Sequence, residues 1–184
     1  MNRIKSFIIA AGFLLLIPTA SFAIVDVGAY GGYAFGTEIE GTNVDPAGFE
    51  YGLDAHLNVT YLVILKLGVG AFYQGSVLKY GSSSDYDKKI IGLDIYNQVD
   101  IPLFPIDPYV KFNTAIWEKV DTSSSYNSTE FFKAYSIGGG LLFTILPLPV
   151  MKVQLFGEYL YSIAKQDGQK ATGHAVHLGL RLDI

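Results

Sequence analysis

The stretch HAVHLGLRLDI, residues 174–184, decides the fold. Read at every second position, His174, Val176, Leu178, Leu180, Leu182 and Ile184 share one face, and Ala175, His177, Gly179, Arg181 and Asp183 share the other. Period-2 alternation is the mark of a β-strand with two unlike surroundings. The apolar side needs an oily contact. The other side combines glycine with charge, so it needs room and polar partners. The segment runs as a strand to the final residue, which reads as a closing strand that pairs back to the first.

The same alternation recurs along residues 24–184 in eight candidate strands: Ile24–Gly36, Gly48–Leu57, Val63–Gln74, Ile90–Ile101, Tyr109–Glu118, Phe131–Ile145, Lys152–Ile163 and His174–Ile184. In each, Val, Leu, Ile, Phe and Tyr fall on one parity. Gly, Asp, Glu, Lys and Gln fall on the other. Most segments are roughly 10 to 13 residues long, whereas a membrane-crossing strand needs about 9–11 and a strand of a soluble protein is nearer 5–6. A soluble lipocalin-like barrel would carry its apolar residues inside, but here the glycines and charges share one face. The run Tyr135–Met151 is uncharged, but three consecutive glycines and two prolines disfavour a membrane helix there.

Connections predicted at 37–47, 75–89, 120–130 and 164–173 are long and polar, with "GSSSDYD" and "DTSSSYNSTE" among them. Those at 58–62, 102–107 and 146–150 are short, and two are proline-rich. Long loops alternating with short turns is the pattern of outer-membrane barrels. Tyr33, Phe35, Phe49, Tyr51, Tyr73, Phe131 and Tyr161 lie on the outward parity beside the long connections, where an interfacial aromatic girdle belongs. Unpaired backbone is excluded in lipid, so the sheet must close. Eight strands make a narrow barrel filled by side chains.

The first 23 residues read as a secretory signal peptide: Arg3 and Lys5, an apolar run, then Ser21 and Ala23 at the cleavage positions. An uncleaved anchor is the alternative, disfavoured by a short run broken at Pro18. The chain has no cysteine, which excludes disulfides, thiol chemistry and a lipoprotein anchor, and its formal net charge of −4 gives no nucleic-acid footprint. The expected organisation is residues 1–23 as signal peptide and 24–184 as an all-β, eight-stranded antiparallel up-and-down transmembrane β-barrel.

These features resemble the small eight-stranded outer-membrane proteins of the OmpX, OmpA-barrel and OmpW types. The resemblance covers Ile24–Ile184 and is one of architecture. Its most specific piece is "HLGLRLDI", which supplies His177, Gly179, Leu182 and Ile184 where such proteins carry a C-terminal signal read by the barrel-assembly machinery. The chain ends in isoleucine where those proteins usually end in an aromatic. The resemblance implies the bacterial outer membrane as location. The implied partners are outer-membrane lipid, the assembly machinery through residues 177–184, and host or environmental ligands at the four long loops.

The inward parity carries Asp26, Glu50, Asp54, His56, Lys66, Asp94, Lys111, Glu158, His177, Arg181 and Asp183. Buried charges must be paired, so these are expected to form a salt-bridge and hydrogen-bond network in the lumen. Bulky inward residues (Tyr30, Phe72, Tyr96, Trp117, Phe156) among inward glycines point to a filled lumen. A small cavity could lie beside Ala134, Ser136, Gly138 and Gly140. His174 and His177 have opposite parity and point to opposite sides of the wall, so they form neither a metal chelate nor a base–nucleophile pair. No catalytic, metal or cofactor residues are expected. The function expected is non-enzymatic: a barrel displaying four surface loops for envelope integrity or surface interaction. The alternatives are OmpW-like passage or binding of small hydrophobic solutes and, third, a lipid A-modifying enzyme.

Overall fold

The computed structural model describes residues 24–41, 45–61, 64–80, 84–101, 104–122, 127–131, 133–148, 151–166 and 169–184. The expected signal peptide at 1–23 lies outside them. Among the described residues nine strands occur: β1 (Ile24–Ile39), β2 (Ala47–Tyr61), β3 (Leu65–Tyr80), β4 (Ser84–Val99), β5 (Ile106–Thr122), β6 (Asn127–Phe131), β7 (Ala134–Leu148), β8 (Met151–Gln166) and β9 (Gln169–Asp183). β5 pairs with β7 from Ile106↔Phe143 to Thr114↔Tyr135, then with β6 from Trp117↔Phe131 onward. β6 and β7 therefore make one interrupted stave, and the barrel has eight staves. Each is antiparallel to its neighbours.

Closure runs between β9 and β1, through Asp26↔Asp183 to Phe35↔His174. Val25 N–H donates to Ile184 O at 3.0 Å, and Ile184 N–H donates back at 2.8 Å. The HAVHLGLRLDI strand is thus the seam. Leu178, Leu180 and Leu182 are exposed on its outside, while His177, Arg181 and Asp183 are buried inside. Exposed Leu, Val, Ile and Phe continue around the barrel, from Leu53 and Leu57 through Val69, Leu93, Val110 and Ile137 to Leu155. An apolar exterior around a charged interior inverts the soluble plan and suits lipid.

Five aromatic–glycine pairs fill the narrow interior. Tyr30 faces Gly52, Tyr96 faces Gly68, Phe72 faces Gly92, Tyr109 faces Gly140 and Phe156 faces Gly179 across adjacent strands. A Cβ at Gly68 would collide with the Tyr96 ring, and one at Gly92 with Phe72. The missing side chain on one stave is what lets the ring on the next lie flat across the lumen.

The structure corrects three expectations. Among the described residues, three of the four connections predicted as long loops are mostly strand, and 37–47 is strand only at 37–39 and 47. β3 runs to Tyr80 and β4 starts at Ser84, β8 runs to Gln166 and β9 starts at Gln169, and β1 and β5 likewise run on to Ile39 and Thr122. Beyond the aromatic girdle the outward face is polar, as at Lys79 and Lys89, while Leu78, Ile90 and Val120 turn inward and are buried, so the apolar-out pattern lapses although backbone pairing continues. At the opposite end β2 runs to Tyr61 and β7 to Leu148, into the predicted short turns. Trp117, expected inside, faces out. The β4–β5 register slips between Ile91↔Trp117 and Gly92↔Ala115, so Ile116 is the extra residue of a β-bulge and parity reverses beyond it. Trp117 therefore pairs with outward Ile91, and Glu118 turns in and is buried. A second bulge in β1 follows Phe35, where Gly36 takes φ +57°, a conformation that favours glycine.

Candidate functional site

The charged lumen is built by parity. Inward positions two apart on neighbouring staves stack into layers, so carboxylates from β1, β2, β4 and β8 meet cations from β5 and β9. Asp26 accepts from Asn58 Nδ2 at 2.7 Å and from the Tyr96 hydroxyl, and its Oδ1 lies 2.6 Å from His56 Nδ1. His56 Nε2 lies 2.8 Å from Asp94 Oδ2. A ring with a carboxylate at each nitrogen can donate to both only as the imidazolium.

Arg181 reaches Asp54 at 3.3 Å and Asp26 at 3.6 Å, with its guanidinium over the Tyr96 and Phe156 rings at 4.9 and 5.3 Å. Lys111 Nζ sits among Asp54 at 3.3 Å, Asp94 at 3.4 Å and Glu158 at 3.8 Å. Glu158 accepts from Tyr109 at 2.8 Å and faces His177 Nδ1 at 3.0 Å, and His177 Nε2 faces Glu50 at 2.9 Å.

All eleven lumen residues singled out from the sequence are buried. Nine join into one chain of contacts: Asp26, His56, Asp94, Lys111, Asp54, Arg181, Glu158, His177 and Glu50. Lys66 and Asp183 form a separate pair, 2.7 Å apart, nearer the end that holds the termini. Polar partners that the sequence reading left out are Asn58, Ser76 and Asp107. It assigned each to a turn or loop, yet each continues the inward parity of its strand (His56–Asn58, Gln74–Ser76, Asp107–Tyr109). Following parity past the apolar run would have found them.

Asp26, Asp54 and His56 offer ligand atoms within 4.8 Å of one another. Arg181, Lys111 and the His56 ring already set positive charge against these carboxylates, so the cluster forms an ion network. Above Glu50 the lumen opens into a cavity of about 110 Å³. Ala134 and Ser136 line it, as the small residues at the start of β7 suggest, whereas Gly138 and Gly140 do not.

Solved structures share this architecture, among them the following two. Neisserial surface protein A (NspA) superposes with a TM-score of 0.64 at 18% identity, covering 85% of this chain and 95% of that one. Ail, the attachment invasion locus protein of Yersinia pestis, gives 0.50 at 17% identity, covering 87% and 99%. The fold is that of a small outer-membrane β-barrel. No protein-family model matches the sequence, and no curated protein does. In such a barrel the exposed apolar belt is the surface suited to lipid.

The histidines fall on opposite sides of that barrel's wall. His177 is buried in the lumen, while His174 stacks on the outer face against Phe35, Tyr159 and Tyr161. The Tyr159 hydroxyl lies 2.5 Å from His174 Nδ1.

Proposed function

We propose that this outer-membrane barrel is non-enzymatic and acts through the polar hairpins it holds above the membrane, in envelope integrity or surface contact. The observation that carries the reading is the state of the lumen histidines. Both ring nitrogens of His56 face carboxylates, and so do both of His177. Neither ring keeps a nitrogen for a serine nucleophile, which a triad-type acyl transfer requires. Passage of solutes is disfavoured by the same network, which crosses the lumen from Asp26 on β1 to Lys111 on β5.

The partners proposed are outer-membrane lipid around the belt, the assembly machinery at residues 177–184, and surface ligands at the tips of the hairpins. The test compares cells with and without the protein, together with a strain carrying an epitope inserted between Tyr80 and Ser84. The epitope is expected to be labelled on intact cells. Loss of the protein is expected to change detergent sensitivity or adhesion while lipid A acylation stays the same. A lipid A change abolished by His174→Ala or His177→Ala would overturn the reading in favour of an enzyme.

A further inference from the structure

We propose that the open-mouthed cavity at the hairpin end of the lumen binds a small neutral alcohol with a ring-sized apolar body. The cavity measures about 110 Å³ and is walled by Ala34, Phe72, Leu78, Ile90, Ala115 and Leu160. For scale, an apolar protein cavity of about 150 Å³ holds benzene, so a ring fills this smaller one and part of the guest lies in the open mouth. The wall supplies an apolar environment that the charged network below does not.

The polar groups at the edge select the ligand's chemistry. Glu50 is engaged on both oxygens: Oε1 accepts from Gln74 at 2.9 Å and Ser76 at 3.0 Å, and Oε2 faces His177 at 2.9 Å. Lys88 is paired with Glu118 at 2.9 Å. With the carboxylate and the ammonium both engaged, neither charge selects an ionic guest. Asn113 differs. It lines the cavity at 5% exposure, and its Oδ1 has no hydrogen-bond partner among the described residues. A buried acceptor left unpaired is costly, and a hydroxyl donated from a guest would remove that cost. A mainly apolar wall, with the Ser136 and Ser162 hydroxyls on its lining and one orphaned buried acceptor, suits an alcohol better than a hydrocarbon or an ion. The floor is the ion network, so the site binds its guest without passing it through. This inference stands whether or not the hairpins contact a partner.

The test uses the barrel in lipid nanodiscs with methyl-labelled Leu, Ile and Val, titrated with benzyl alcohol and, separately, with toluene. Benzyl alcohol is expected to shift the Leu78, Ile90 and Leu160 methyls saturably. Toluene, lacking the donor, is expected to bind about fivefold more weakly. Asn113→Leu should erase that preference, and Ala115→Phe should abolish the saturable shift. Should Ala115→Phe not fold, Ala34→Leu fills the cavity from β1 instead. Three results would overturn the proposal: non-saturating shifts confined to the lipid-facing Leu53, Leu57 and Val110 methyls, equal affinity for the two probes, or unchanged binding in a filled-cavity variant.

Discussion

Arg181 shows what a single buried residue does in this lumen. It is 1% exposed and serves Asp26 and Asp54 while stacking on Tyr96 and Phe156. Removing one member of a buried ion network leaves its partners uncompensated, at a cost of about 3–5 kcal/mol. Arg181→Ala is therefore expected to lower the urea midpoint of the vesicle-embedded barrel by an amount equivalent to that cost. A midpoint within 0.5 kcal/mol (roughly the scatter of an ordinary surface substitution) would show that the network contributes little. Arg181 was legible in the sequence because it alternates with Leu180 and Leu182. Its choice of Asp54 and Asp26 was not, because those carboxylates come from β2 and β1, more than 120 residues earlier in the chain.

At the scale of the strand, parity is reliable only while register holds. Trp117 is the example: one bulged residue, Ile116, reverses every side chain after it. As the chain's sole tryptophan it reports on that bulge directly. Its fluorescence is expected to be quenched by brominated lipids and to respond weakly to a quencher confined to the aqueous lumen. The opposite pattern would return Trp117 to the inside.

The aromatic–glycine pairing makes a second prediction for strands. Gly68→Val would push the Tyr96 ring out of its place and break its contacts with Asp26 and Asn58. Overpacking of this kind costs about 1–3 kcal/mol. Thermal unfolding of Gly68→Val beside Gly157→Val, where a Cβ would meet nothing closer than the flexible end of Leu178 at 3.2 Å, separates ring displacement from the general effect of replacing glycine. Neither Gly68 nor Gly157 takes a left-handed φ, so the two variants differ in the ring collision and not in backbone strain. Equal losses from the two would sink the packing argument.

For the whole molecule, the filled lumen predicts electrical silence. The barrel reconstituted in planar bilayers is expected to give no discrete conductance steps, because ions would have to displace the paired groups between Asp26 and Glu50. Stable steps would mean that the network opens under voltage. Shortening the β3–β4 arm by replacing residues 79–85 with a two-residue turn is expected to leave the barrel folded, since the closing ladder and the ion network lie below it. Retained heat-modifiable gel mobility checks this, and its loss would tie the hairpin to folding.

Sequence alone determined the class of this protein, because alternation is local: a residue's parity follows from its place in the chain, and lipid outside a polar lumen leaves its imprint on every stave. It also determined that the eleven lumen residues face inward, though not that Glu118 and Asp107 join them. Tertiary structure decided what local pattern cannot carry. It set where each strand ends beyond the lipid belt, since there the outward face is polar and buried apolar residues such as Leu78 and Val120 turn inward, which reverses the local signal. It placed the bulge at Ile116, which depends on pairing with β4 and not on the sequence of β5. It also chose the partners of each buried charge, because strand register and barrel closure bring β1, β2, β4, β5, β8 and β9 to a common axis. The cavity with its unpaired Asn113 belongs to that second group: no stave encloses it alone.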